Sequence, residues 1–308
     1  MVRKTSKSRG SSVIAALIVL CALIGYGLSE WKLLPDTMEA VPASRQAAEQ
    51  GMAPEKITLP EKGEPVRMLT MNAGNYFVPE DPRRSNFQVK YKPVEAREAI
   101  AELVRQSGAE IVGLSEMGGE AAVNDLQMRL KRKGVQLPHK VLVMRDGEDR
   151  GLVLLSKYPI VSNRSVTDMP VSGEPKRRKT MLRGILDATV KMPDSRQFRL
   201  IGVHLKSRLS RDGSAEETRR REAYALRDYL NGVMASQDGM PLLLYGDFND
   251  GPADSSVQVI QGPAKTDSRL NRLKPRDSRG ETWTIYYEDG DTYHSFDHIF
   301  INLSLIHI

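Results

Sequence analysis

The sequence has almost no cysteine. Cys21 stands alone among 308 residues, so no disulfide can form within the chain and the fold must rest on its core. Aromatic residues are also scarce, at 6%, which argues against a wide platform for stacking bases. No internal repeat is present, so a solenoid or propeller is excluded. Outside one apolar run near the N-terminus, no long apolar loop offers itself to a membrane. What remains is ordinary for a globular protein, with 40% hydrophobic and 27% charged residues. The length suits one large domain or two small ones. The net charge of +6 suits a polyanionic partner without requiring one.

Residues 1–12 form a basic tail with Arg3, Lys4, Lys7 and Arg9. Val13 to Leu28 carry no charge. They read as an apolar helix outside the domain, either a retained signal anchor or a cleaved signal peptide. Trp31 beyond it suits a membrane interface. This predicts a domain exported from the cytoplasm, anchored or secreted. Residues 29–65 are polar and broken by Pro35, Pro42, Pro54, Pro60 and Pro65, and read as a linker. The domain is expected over 66–302.

Within it, Leu242–Tyr245 read as a strand buried on both faces, running into Gly246-Asp247-Phe248-Asn249. If the chain stays extended, Asp247 and Asn249 share one side while Phe248 anchors in the core. A carboxylate beside an amide suits a hard cation or an activated water next to a phosphate oxygen. Gly, Asp and Asn are equally turn residues. The other strands tip the balance: Asn72, Glu116 and His204 each follow an apolar strand at its C-terminal end, and together these side chains predict one shared cleft. Strands follow one another with few helices between them, which argues against a doubly wound parallel sheet and for two packed sheets with helices outside. Arg219-Arg220-Arg221 in the first turns of a long helix opposes the macrodipole, which hints at an anionic neighbour, with a solvated helix face as the favoured reading. The basic stretches Lys176–Lys179 and Arg269–Arg279 suit a polyphosphate backbone, and an ordinary solvated surface equally well.

The chain resembles the endonuclease/exonuclease/phosphatase superfamily, of deoxyribonuclease I-like fold. The matching pieces are Leu69–Asn72, Val112–Glu116, Gly151–Ile160, Val203–Lys206, Gly246–Asn249 and Ser295–Ile299, in the family's order. The resemblance implies an α+β fold, a four-layer sandwich of two packed mixed β-sheets flanked by helices. It implies hydrolysis of a phosphoester by in-line attack of water, dependent on Mg²⁺, with Mn²⁺ as the alternative ion. Carried over by motif, Glu116 binds the metal and Asn72 supports the metal and phosphate. Asp247 orients or deprotonates the water and takes part in metal binding. Asn249 and His204 hold phosphate oxygens. Asp297 is expected to pair with His204.

The family also ends on a Ser-Asp-His motif before an apolar strand. Ser295-Phe296-Asp297-His298 does not match it in spacing, and His298 falls where the family's preceding strand carries an aromatic. Residues 303–308 match the in-frame translation of a transposon-end sequencing adaptor. The expectation is therefore a non-native tail after Asn302 and an incomplete domain, without the family's terminal His and, as this 308-residue chain, without the family's normal activity. The leading functional expectation is a phosphodiesterase acting on nucleic acid, with no protein partner evident and the membrane reached only through the N-terminal helix. The alternatives are a phospholipid or inositol-phosphate hydrolase, and a non-catalytic binding module of the same fold.

Overall fold

The computed structural model describes residues 19–23, 65–80, 90–171, 179–209, 214–236 and 240–306. The first sheet is built from β1 (Val19–Leu23), β2 (Val66–Tyr76), β3 (Ile111–Met117), β4 (His139–Val143) and β5 (Gly151–Ser156), with α1 (Val94–Ser107) and α2 (Glu120–Arg132) between them. Its order is β1-β2-β3-β5-β4, and only β2 and β3 run parallel. The chain then passes through β6 (Ile160–Asn163), the short ribbon β7 (Pro170–Val171) and β8 (Lys179–Thr180), β9 (Leu186–Lys191) and β10 (Gln197–His204). Helix α3 (Ala215–Ser236), β11 (Leu242–Asp247), α4 (Ser255–Gln261) and β12 (Asn271–Arg272) follow. A hairpin of β13 (Ile285–Tyr287) and β14 (Thr292–His294) precedes β15 (Asp297–Ile301) and the short α5 (Leu303–Ile306). The second sheet has the order β12-β15-β11-β10-β9-β6, and only β10 and β11 run parallel.

Three cores explain why these strands read as continuous apolar runs. Met68, Ile111, Leu152 and Leu154 of the first sheet meet Leu186, Leu200, Leu243, Tyr245 and Ile299 of the second. The outer face of the first sheet packs Leu69, Val112 and Leu155 against Ile100 and Val104 of α1 and Leu126 and Leu130 of α2. The outer face of the second packs Ile201, Leu244 and Phe300 against Leu226 and Leu230 of α3 and Val257 of α4. Strands buried on both faces have no polar side to alternate with. The fold is thus α+β, with two mixed sheets face to face and helices outside. Glycine makes the sheet contact possible at Tyr245: a Cβ at Gly113 would lie 2.1 Å from its ring. Between the helices, Asp125 binds Arg97, Arg129 and the Tyr76 hydroxyl, tying α1 to α2 and to β2.

One expectation fails at the N-terminus. Within the run read as an apolar helix, Val19–Leu23 form a strand, antiparallel to β2, with Val19 opposite Thr70 and Leu23 opposite Val66. The free edge of β2 offers unpaired N–H and C=O groups, and an apolar Val-Leu-Cys-Ala-Leu segment can satisfy them as readily as it can fill a helix. The remainder of the run, Trp31 and the linker lie outside the described residues. Among the described residues no helix is long and apolar enough to cross a membrane. At the other end, α5 follows β15 directly and Leu305 is buried in the core between the sheets.

Candidate active site

The two parallel strand pairs, one in each sheet, carry their C-terminal ends to the same place. In the first sheet Asn72 lies level with Ser115, one residue before Glu116. In the second, His204 lies level with Asp247, and Asp247 opposes Asp297 of β15. The register thus brings five of the expected side chains to one edge of the sandwich.

Backbone geometry at these strand ends departs from the ladder. Glu116 has φ of 57° and sits in a register break between Leu114 and Met117. A left-handed conformation costs a non-glycine residue roughly 1–2 kcal/mol, and it turns the carboxylate out of the β3 pleat. Asn75 and Asn249 share the left-handed region, with φ of 57° and 52°, where asparagine is better tolerated. Gly246 has φ of 141°, and a Cβ there would lie 1.9 Å from the Val203 carbonyl oxygen, so only glycine fits before Asp247. The extended tip expected after Asp247 is therefore a turn: the Asn249 N–H donates to Asp247 Oδ1 at 2.9 Å. Phe248 does anchor in the core, against His298 and Phe300.

Asp247 is the hub. Its Oδ2 accepts from Asn72 Nδ2 at 3.0 Å and lies 3.7 Å from His204 Nε2. His204 Nε2 is in turn 3.9 Å from Glu116 Oε1. Both distances exceed a hydrogen bond and leave room around the imidazole edge. Glu116 Oε2 accepts from the Asn75 N–H at 2.9 Å, and the Asn75 side-chain oxygen accepts from Arg150 Nε at 2.7 Å. Asn72 Oδ1 accepts from the Gly74 N–H at 2.8 Å, so its amide is locked with the nitrogen toward Asp247. Asn249 Nδ2 donates to the Leu205 carbonyl at 3.0 Å. Its second amide N–H has no partner among the described residues.

Electrostatics follow from burial. Desolvation raises Asp247 to about 6, with the neighbouring Glu116 charge adding to the effect; the bonds from Asn72 and Asn249 and the charge of Arg183 pull the other way. Burial pushes His204 well below its ordinary value, and the charges of Arg183 and Arg150 push it the same way, so the imidazole is neutral at pH 7. Burial, then the charge of Asp247, raises Asp297 well above the usual carboxylate range.

Asp297 does not make the expected pair with His204. Asp297 Oδ1 and His204 Nδ1 are both buried without a hydrogen-bond partner. Asp297 enters opposite Asp247, not opposite the imidazole. His298 is structural: its Nε2 bonds the Asp250 carbonyl at 2.8 Å, and burial lowers it to about 4. Two arginines were hidden among the chain's many cations. Arg183 lies close enough for its charge to act on both His204 and Asp247, and its Nε and Nη1 are buried with no hydrogen-bond partner. Arg219, favoured for a solvated face, is instead buried and binds Asp250 Oδ1 at 2.7 Å beneath the Asp247 turn, the anionic neighbour its place in the first turns hinted at. Its neighbours Arg220 and Arg221 do face out, each paired to Glu217.

Lys176–Arg178 lie outside the described residues, as does the Lys179 side chain. In the other basic stretch, Arg269 and Arg276 donate to carbonyls of their own loop, and Arg279 pairs with Asp277 and Glu281.

The family model described as the endonuclease/exonuclease/phosphatase family matches residues 85–306. The chain belongs to this family. Its members are in general metal-dependent phosphoesterases. The search of curated proteins returned no match. Among solved structures, the chain is similar to a β-hairpin deletion mutant of beta toxin from Staphylococcus aureus, at 14% identity and a TM-score of 0.52, covering 77% of this chain and 86% of that one. It is similar to the mannosyl-6-phosphatase Bt3783 of Bacteroides thetaiotaomicron, at 17% identity and a TM-score of 0.51, over 68% and 76% of the two chains. It is also similar to the human Nocturnin catalytic domain, at 19% identity and a TM-score of 0.48, over 70% and 77%. At these identities the likeness to beta toxin and to the mannosyl-6-phosphatase is one of fold.

The family's usual Mg²⁺ can be tested against the residues present. Among the described residues no cluster of three or more His, Cys, Asp and Glu side chains forms a metal site. A cage of that kind is not what Mg²⁺ needs, because it keeps several waters and takes one or two carboxylates. Glu116 Oε1 accepts no hydrogen bond from the described residues, and the Glu116 charge disfavours ionised Asp247. An uncommitted carboxylate oxygen and a repulsion that a cation relieves fit the group. Asn72 Oδ1 accepts one hydrogen bond, from Gly74, and keeps a second lone pair toward the site.

Proposed function

We propose that this endonuclease/exonuclease/phosphatase-family chain hydrolyses phosphodiesters by in-line attack of water, with nucleic acid as the preferred substrate. The observation that carries the reading is the buried placing of Asp247 with Asn72 on one oxygen and neutral His204 within 4 Å. Mg²⁺ or Mn²⁺ at Glu116 would supply Lewis-acid stabilisation of charge on the phosphoryl oxygens. Asp247 takes the proton of the attacking water at a carboxylate oxygen. Asn72 and the Asn249 N–H hold that carboxylate in place. Neutral His204 and the remaining N–H of Asn249 offer donors to a phosphate oxygen. The buried, unpaired Nε and Nη1 of Arg183 add positive charge near them. A base raised to about 6 is ionised at pH 7 and still strong enough to accept a proton.

The test is cleavage of plasmid DNA with and without Mg²⁺. The reading expects cleavage that needs the ion and falls about 10²–10⁴-fold in Asp247→Ala. Hydrolysis confined to phospholipid or inositol head groups would move the chain to that class. DNA binding without turnover would make it a binding module. Export and anchoring are part of the proposal on the basic tail and the uncharged run Val13–Leu28 alone, and both require Val19–Leu23 to leave their pairing with β2.

A further inference from the structure

The few aromatic residues of this chain are not spread evenly. Trp283, Tyr286, Tyr287, Tyr293 and Phe296 fall together on and beside the β13–β14 hairpin. Its register places Tyr286 opposite Tyr293, and Tyr287 opposite Thr292. The rings accordingly divide between the two faces. On one, Tyr293 lies 4.8 Å from Tyr286 and 5.0 Å from Trp283. On the other, Tyr287 lies 5.7 Å from His294 and 6.4 Å from Phe296, and His294 stacks on Phe296 at 5.1 Å.

The second face adjoins the candidate active site. Phe296 precedes Asp297, and its carbonyl accepts from the Phe248 N–H at 2.8 Å, inside the Asp247 turn. The Arg208 guanidinium lies 4.7 Å above Phe296 while its Nε donates to the Asn249 carbonyl. Thr284 Oγ1 accepts from the backbone of both Phe296 and Asp297, fixing the base of the hairpin to β15. Tyr287 is near enough to the centre that its phenol is raised, by burial first and by the Asp247 charge second. The residue is nonetheless 43% exposed. A ring met edge-on by His294 and at a tilt by Phe296, part-exposed and beside the candidate active site, is a surface for a second planar ring.

We propose that Tyr287 is a specificity-determining residue that stacks a nucleobase of the substrate while the phosphate occupies the Asp247 centre, a reading that rests on the phosphoesterase function above. Every base has a π-face, so the contact selects nucleotides over ring-free esters without choosing a sequence. The hairpin is poorly made for lipid. Its exposed rings are phenols, its one aliphatic residue, Ile285, is not exposed, and Glu288 and Asp291 near its tip repel an anionic bilayer.

The experiment is calorimetric titration of the full chain in Mg²⁺ with adenosine 5′-monophosphate and with ribose 5-phosphate, which share the phosphate and differ by the base. Wild type and Tyr287→Phe are expected to bind the nucleotide at least about 5-fold tighter than the sugar phosphate. In Tyr287→Ala that gap closes while ribose 5-phosphate affinity holds. Equal affinity for the two ligands in wild type overturns the stacking and leaves the phosphate site standing. Equal weakening of both in Tyr287→Ala marks a structural role and also overturns it. Binding of neither ligand overturns the stacking and the phosphate site together. Capture by phosphatidylcholine vesicles that is lost in Tyr287→Ala would assign the ring to lipid instead.

Discussion

Single residues carry the most exposed claims. Gly246 must hold φ at 141° with Val203 O against its α-carbon. Gly246→Ala is expected to cost roughly 4 kcal/mol or more, since the clash is with backbone that cannot turn away. Urea unfolding would show it, and a midpoint near wild type would contradict it. His298 gives a pH prediction. Its folded value of about 4 lies below the unfolded one, so between pH 4 and 6.5 the unfolded chain binds more protons and stability rises with pH. The contribution is complete above pH 6.5 and is lost as pH falls through that window, on the order of 3 kcal/mol in all. His298→Phe should flatten this acid limb in thermal scans across pH 4–7. The motif residues at this scale were legible because each polar side chain closes an apolar strand. The Asp297–His204 pair was not there to be found, since sequence order does not say which neighbour a buried carboxylate faces. Arg183 escaped notice because its basic neighbours look the same on paper.

Elements show where pattern and structure part. Helix α3 carries three successive arginines in its first turns, and they have two fates. Arg219→Ala strands buried Asp250 with fewer partners and is expected to destabilise by about 3 kcal/mol. Arg220→Ala removes an exposed pair and should stay within about 0.5 kcal/mol. Denaturant curves of the two variants would separate a pinned arginine from a solvated one, and equal losses would refute the distinction. The β13–β14 hairpin has no sequence period to announce it. Strands of three residues are too short for alternation to register, and so a low aromatic count concealed a local cluster. The apolar run at Val19–Leu23 is as consistent with an edge strand as with a helix, because a short continuous apolar segment carries no period.

For the whole molecule, two mixed sheets packed face to face were legible from strands without alternation and from the scarcity of crossover helices. The family resemblance added the order of the layers. What the sequence could not supply is the convergence of β2 and β3 with β10 and β11, which follows from register in two sheets at once. That convergence sets Glu116 close enough to disfavour ionised Asp247, with His204 lying within 4 Å of both. This pair of carboxylates is proposed to work phosphoester chemistry with a divalent ion. The most direct measurement is the rate of p-nitrophenol release from bis(p-nitrophenyl) phosphate by the full chain, in Mg²⁺ and in EDTA, beside Glu116→Gln. Release is expected in Mg²⁺ alone, with a loss of about 10²-fold or more in the variant. Equal rates in EDTA, or a Glu116→Gln chain as fast as wild type, would contradict it.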